Sequence, residues 1–326
     1  MTIGISIGDP NGIGPEVVLK TFADSELLTV CTPIVYAHFD FVNQQAAQFD
    51  WQLPIERMHD QPKQGVLNVV DCWTESFQPQ YGEVDAKAGK LSVTSLVAAT
   101  ADLKKGNINA LVTAPIHKAA IQSEDFRFPG HTDYLAQAFD GDALMFLVHP
   151  DLRVALVTDH VAVKDIARHI TTDRVAQKLN AVAHSLQQDF GIPNPRIAVL
   201  GLNPHAGDEG VIGEEEVNLL EPMLQTHQID KTEISGPFSA DAFFGSQSHK
   251  NYDAILAMYH DQGLIPFKTL SFGQGVNFTA GLSAVRTSPD HGTAFGIAGT
   301  GQANPQSFRQ AVQTAIEVVK RRNIST

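Results

Sequence analysis

An α/β protein built on a largely parallel sheet is what this sequence predicts, on three observations. Short apolar runs alternate with helical patterns along the chain, as strands and crossover helices do. Three of these runs are apolar on both faces, the mark of strands buried within a parallel sheet. Each of the three then turns polar at its C-terminal end and carries a histidine there, where open α/β sheets place their ligands. The runs are Val154 to Thr158 before Asp159-His160, Ile197 to Leu202 before Asn203-Pro204-His205, and Asp253 to Tyr259 before His260-Asp261-Gln262-Gly263. Neutral imidazoles from three separate strands can make a divalent-metal site with open positions for substrate, which makes His160, His205 and His260 candidate ligands. A satisfied structural histidine is the alternative for any one of them taken alone.

The elements follow in order. Thr2 to Ile7 is the first strand, and Gly8-Asp9-Pro10-Asn11-Gly12-Ile13-Gly14-Pro15-Glu16 turns the chain into a helical pattern through Val17, Val18, Leu19 and Phe22. Such a turn can present backbone N–H groups to an anion, but this one lacks the Gly-Lys-Ser/Thr ending of a P-loop and the spacing of the dinucleotide fingerprint, which favours a tight structural turn. Thr32 to His38 and Gly65 to Cys72 are further buried strands, with a helix near Phe41 to Phe49 between them. Apolar positions from Ala86 to Lys105 recur at helical spacing, and Gly106 stands where a C-cap belongs. Ile108 to Val112 is the next strand, and its exit carries Lys118, a surface lysine or an ammonium aimed into a cleft. Pro129-Gly130-His131-Thr132 leads into a helix over Tyr134 to Phe139, so His131 and Thr132 either meet an anion at the helix start or Thr132 simply caps it.

Leu144 to Val148 and Val154 to Thr158 read as a hairpin, which makes the sheet mixed, and Asp173 to Phe190 is a long amphipathic helix ending at Gly191. The run Glu214-Glu215-Glu216 suits the first turn of a helix rather than a metal site. Asp241 is an isolated acid in an apolar setting, costly to bury without a partner, and therefore a candidate to bond a histidine or relay a proton, with a helix N-cap as the alternative. Gly275 to Ala280 and Leu282 to Arg286 are strand-like, and Lys268, Asn277 and Arg286 together suit a phosphate or carboxylate. A closing helix spans Ser307 to Arg322.

At 326 residues the chain suffices for two domains with separate cores, or for one large α/β unit. A hydrophobic content of 43% and a charged content of 18% are those of an ordinary globular protein. The net charge of −13 argues against non-specific nucleic-acid binding and against an anionic membrane, but not against an anionic small molecule held by local cations. Cys31 and Cys72 match no metal or redox spacing and suit a reducing compartment as buried thiols. Without a signal-peptide pattern, or a run of the ~18–20 apolar residues that a membrane span needs, the chain is expected in the cytoplasm.

Several long segments resemble one family. Gly8 to Glu16, Pro129-Gly130-His131-Thr132, Leu202-Asn203-Pro204-His205-Ala206-Gly207, Ala257-Met258-Tyr259-His260-Asp261-Gln262-Gly263 and Gly275-Val276-Asn277-Phe278-Thr279 are similar to the 4-hydroxythreonine-4-phosphate dehydrogenase family of pyridoxal phosphate biosynthesis. The tail His291-Gly292-Thr293-Ala294 with Ile297 to Pro305 also resembles the nucleotide loop of isocitrate and isopropylmalate dehydrogenases. That likeness implies two α/β/α domains with a cleft between them, and NAD bound without a Rossmann fingerprint. The domains are then 1–128 with 280–326, and 129–279. NADP in place of NAD stays open.

Position by position, the resemblance implies His160, His205 and His260 as ligands of one divalent ion (zinc, magnesium or cobalt). It implies His131, Thr132, Lys268, Asn277 and Arg286 as substrate contacts, and a homodimer that shares its active sites. By its likeness to the nucleotide loop, the tail supplies His291, Gly292, Thr293, Ala294, Gly299 and Asn304 to the cofactor. Gln274 departs from the arginine that many relatives carry before this family segment. The implied reaction oxidises 4-phosphooxy-L-threonine with NAD to 2-amino-3-oxo-4-(phosphooxy)butanoate, which loses CO2 to give 3-amino-2-oxopropyl phosphate. Asp241, Asp261 or Lys118 is the candidate base, directly or through water. A dehydrogenase of threonate or erythronate 4-phosphate, a zinc-dependent hydrolase and a non-catalytic or acyl-transfer protein on this fold are the competing readings.

Overall fold

The structure, a computed structural model, describes residues 1–23 and 26–324. Two units make up the chain: Met1–Gly141 with Leu282–Val319, and Asp142–Gly281 with the end of the chain from Lys320. His131 and Thr132 thus belong with Arg286 in the first unit, and the three candidate histidine ligands with Asp241, Asp261, Lys268 and Asn277 in the second.

β1 (Thr2–Ser6) is covered on both faces from Ile3 onward, as a central strand must be. The glycine-rich turn leads into α1 (Gly14–Ala23), where Val17, Val18, Leu19 and Phe22 are buried. A short α2 (Glu26–Val30) precedes β2 (Thr32–Ala37), buried throughout, and α3 (Phe39–Gln48). β3 (Ile55–Arg57) is too short to carry an apolar period and was not foreseen; β4 (Leu67–Asp71) follows it. α4 (Ala86–Lys104) starts at Asp85, whose carboxylate accepts the Ala88 N–H at 3.0 Å, and stops before Gly106 at φ +74°. β5 (Ala110–Thr113) is fully buried. α5 (His131–Ala138) has Gly130 at its N-cap, so Thr132 lies inside the first turn and does not cap it.

In the second unit β6 (Gly141–His149) and β7 (Leu152–Leu156) form the expected antiparallel hairpin, with Phe146 opposite Ala155. α6 (Ile166–His169) leads to α7 (Thr172–Gln188), whose Val175, Leu179, Val182 and Leu186 repeat on one face and are wholly covered. Burying each such side chain contributes about 1.5–3 kcal/mol. β8 (Arg196–Leu200), a π-helical turn over Glu216–Leu220, α8 (Glu221–Thr226), β9 (Glu233–Phe238) and α9 (Ala240–Gly245) come next. β10 (Ala254–Ala257), α10 (His260–Ser271) and β11 (Val276–Leu282) complete the unit.

The chain returns with β12 (Arg286–Pro289) and closes in α11 (Gln306–Ile324). Leu282 and Arg286, expected in one strand, therefore end β11 and begin β12 respectively. Gly281, which looked like a break, lies within β11 at φ +78°, and the chain turns at Ser283, whose N–H donates to Asp140 at 3.0 Å.

The strand order in the first unit is β3-β4-β2-β1-β5-β12, every neighbouring pair parallel. In the second it is β11-β6-β7-β10-β8-β9, parallel from β7 to β9 and antiparallel between β6 and β7. One face of these central strands carries the second core, from Val154, Leu156, Ala198, Leu200, Ile255 and Ala257 with Phe243, Leu264 and Phe267 from the helices. No helix among the described residues is long and apolar enough to cross a membrane.

Candidate active site

The three candidate ligands stand just beyond the C-terminal ends of β7, β10 and β8, which are consecutive in the sheet and mutually parallel. A parallel ladder aligns the strand ends, so residues that follow them in sequence share one edge. The rings of His160 and His260 lie with centroids 6.1 Å apart and planes at 38°. Two imidazoles on one tetrahedral zinc with bonds of about 2 Å bring their centroids to roughly 5 Å, so this pair is within about an ångström of that spacing. Asp261 accepts from Nδ1 of His260 at 2.7 Å, which leaves the Nε2 lone pair as the ligating position. Among the described residues of a single chain, no three His, Cys, Asp or Glu side chains are gathered tightly enough to hold an ion.

His205 is carried differently. Residues His205, Ala206, Gly207, Asp208 and Glu209 all adopt positive φ, between 47° and 83°. For an L-residue this conformation costs roughly 1–2 kcal/mol, so the turn needs an anchor. Glu216 supplies it: fully buried, it accepts the Asn203 N–H and the Asn203 Nδ2 donor, each at 2.8 Å. A Cβ at Gly207 would come within 2.7 Å of that carboxylate, so only glycine fits there. The acidic run does open a helical stretch, as expected, but Glu216 is turned inward as the support of the His205 turn.

Asp241 is exposed in the first turn of α9, contrary to the apolar surroundings that the sequence suggested, because its neighbours Phe243 and Phe244 turn to the core and leave it outside. The Ser239 hydroxyl donates to it at 2.6 Å, and that bond, then the Ala242 N–H and the charge of His205, hold its carboxyl below the ordinary range. Lys268 is exposed on α10 and Asn277 half-buried on β11. Lys118 is an exposed residue of the turn after β5, and its carbonyl accepts from the Gln122 side chain at 3.4 Å.

In the first unit Arg286 is 3% exposed, with Nη2 and Nε donating to the Thr113 hydroxyl on the adjacent β5 at 2.6 and 3.2 Å. Burial pushes its pKa down to about 9, which leaves it cationic at neutral pH. His131 is half-buried as a residue, but its Nε2 is covered and has no hydrogen-bond partner. Burial, and then the charge of Arg286, hold its pKa well below the imidazole range, so the ring is neutral at pH 7. A fixed cation beside a neutral ring with one unsatisfied nitrogen suits an anionic oxygen. Thr132, half-buried in the first turn of α5, follows directly.

The tail loop is fastened from the N-terminal segment. Ile13 N–H donates to Thr293 at 3.0 Å, and Lys20 Nζ donates to the carbonyls of Gly301 and Ala303 at 2.6 and 2.8 Å. Glu16 accepts the Ala303 N–H at 2.6 Å and pairs with Lys20 at 2.9 Å. Ala294 and Gly299 take positive φ, His291 has a covered Nε2 without a partner and its Nδ1 lies 3.1 Å from the Gly292 carbonyl. Asn304 accepts the Gln306 N–H at 2.9 Å at the start of α11. Glu16 and Lys20 went unremarked in the sequence because an i,i+4 pair on a first helix looks like any surface pair; Glu16 being 4% exposed is what sets it apart.

The chain matches the family described as pyridoxal phosphate biosynthetic protein PdxA over residues 29–315. The 4-hydroxythreonine-4-phosphate dehydrogenase of Bacteroides thetaiotaomicron is 45% identical over 324 residues, covering 98% of this chain and 89% of that one. The crystal structure of 4-hydroxythreonine-4-phosphate dehydrogenase from Klebsiella pneumoniae superposes with a TM-score of 0.83 at 32% identity, over 98% of both chains. An isocitrate dehydrogenase from Methylococcus capsulatus shares the fold alone, with a TM-score of 0.50 at 13% identity over 99% of this chain and 86% of that one.

Proposed function

Because the chain belongs to the PdxA family of pyridoxal phosphate biosynthetic proteins, we propose that it is the oxidoreductase that converts 4-phosphooxy-L-threonine and NAD to 2-amino-3-oxo-4-(phosphooxy)butanoate. The observation that carries the metal-dependent form of this reading is the approach of the His160 and His260 rings at the ends of adjacent strands. With His205, their donor set is one that zinc, cobalt or another divalent ion accepts. The chemistry supplied by the bound groups is Lewis-acid stabilisation of the substrate's alcohol oxygen by the ion and acceptance of hydride by NAD.

The chain's own residues do the rest. Arg286 offers a fixed positive charge to the anionic end of the substrate, and His131 a ring N–H from its unsatisfied Nε2. Thr132, Lys268 and Asn277 complete the substrate contacts. The hydroxyl proton leaves to a base as the C–H electron pair departs; Asp241 or Lys118, both exposed, takes it directly or through water. Asp261 is engaged on His260 and acts there to orient the ring. The product is a β-keto acid, whose loss of CO2 gives 3-amino-2-oxopropyl phosphate. The tail loop from His291 to Asn304, held by Glu16 and Lys20, receives NAD.

The working form in this reading is a homodimer whose sites are completed by the partner. Two features support it: among the described residues of one chain no three such side chains gather tightly enough to hold an ion, and the second unit exposes Val163, Val211, Ile212, Ile265 and Phe272. The cytoplasm is the compartment proposed, in keeping with the two free thiols. Steady-state rates with NAD, on 4-phosphooxy-L-threonine and on the corresponding 4-phospho sugar acids, test the assignment. A clear preference for the amino acid is expected, and a preference for erythronate or threonate phosphate would overturn it.

A further inference from the structure

β10 and β8 pair in parallel with Ala254 against Ile197 and Leu256 against Val199. Continued by two residues, that register sets Met258 against Gly201, but the two strands do not bond there directly. The side-chain amide of Gln262 lies between them. Its Oε1 accepts the Met258 N–H at 2.7 Å and its Nε2 donates to the Gly201 carbonyl at 2.7 Å. The carboxamide thus replaces a peptide group in the ladder and holds the two strand ends one amide apart. On the other flank the ladder continues without a spacer: the Met258 carbonyl accepts both the N–H and the hydroxyl of Thr158, at 3.1 and 2.7 Å.

His260 follows Met258 by two residues, His205 follows Gly201 by four, and His160 follows Thr158 by two. The three candidate ligands are therefore tied through one chain of bonds, Thr158 to Met258 to Gln262 to Gly201. The geometry points to Gln262 as a positioning residue of the metal site, one that sets the separation between the chain segments bearing His260 and His205. The inference rests on the histidine reading above. The glutamine carboxamide provides an acceptor and a donor in one plane on an unbranched stem. Methionine offers neither, and glutamate would set a carboxylate oxygen against the Gly201 carbonyl while keeping the bond from Met258.

The test is the affinity for zinc alone, measured by competition with a chelator on the full-length protein, beside the melting temperature of the metal-free form. Gln262→Met and Gln262→Glu are each expected to bind zinc about ten- to a hundredfold more weakly. The melting temperature should stay within a few degrees of the parent's. If Gln262→Met does not fold, Gln262→Glu decides, because it keeps the Met258 bond and loses only the tie to Gly201. His260→Ala is the control, expected to lose zinc. Zinc loss by His260→Ala with parental affinity in the Gln262 variants overturns the positioning role alone. Parental affinity in His260→Ala sinks the histidine reading and this inference with it.

Discussion

Asp261 Oδ1 and His260 Nδ1 lie 2.7 Å apart on successive residues, at the first turn of α10. The bond fixes the ring's orientation and would make it a better ligand through its other nitrogen in the proposed metal site. Asp261→Asn keeps an acceptor there but removes the charge. A fall of about tenfold in zinc affinity is expected, at the mild end of what removing an outer-shell partner costs. Were Asp261 the general base instead, the same change would depress kcat and leave zinc affinity untouched. Chelator competition and steady-state rates on one preparation separate the two.

Arg286 is buried and bonded to Thr113, so its charge is fixed in place before substrate arrives. Arg286→Lys keeps a cation but loses the forked geometry. A charge-assisted bond contributes about 1.5–3 kcal/mol, which corresponds to a rise of about ten- to a hundredfold in the KM for the phosphorylated substrate. The KM for NAD should hardly move. An unchanged substrate KM would remove Arg286 from the site.

His131 refuses a proton in the folded protein that it accepts in the unfolded chain. Its folded pKa lies well below the ordinary 6.5, from burial and then from Arg286. Above about 6.5 both states are neutral and the residue adds no pH dependence. As the pH falls through and below that value the unfolded state gains a proton, and folding loses up to about 1.4 kcal/mol per pH unit. The parent's melting temperature should therefore drop between neutral pH and about pH 5 more steeply than that of His131→Gln. Parallel curves would show that the ring titrates normally when folded.

Glu16 and Lys20 hold the loop proposed for NAD from below. Glu16→Gln keeps one acceptor for the Ala303 N–H while losing the ion pair with Lys20. The expected result is a several-fold higher KM for NAD with zinc affinity unchanged, since every group concerned belongs to the first unit. Equal NAD affinities by titration would relieve the pair of that role.

The buried strands were legible because parallel-sheet strands are apolar on both faces, and so were the ends where ligands gather. His160, His205 and His260 follow three such strands, and the change from apolar to polar residues there is visible in the sequence. The supports of the site were not legible. Gln262 and Glu216 act through bonds to backbone groups more than ten residues away in sequence, and no local pattern marks such a contact. Asp241 misled because its apolar neighbours Phe243 and Phe244 point to the core while it points away. β3 and β9 were missed for a related reason: both are edge strands of their units, where one-sided cover weakens the apolar signal.

The proposed catalytic centre has the imidazoles of His160, His205 and His260 closing on one divalent ion. Anomalous X-ray scattering from a zinc-loaded crystal locates that ion. A single strong peak is expected, bonded at about 2.0–2.1 Å to all three imidazoles, with His205 drawn from the same chain or from its partner. A peak held by other side chains, with these rings left apart throughout the assembly, would contradict it.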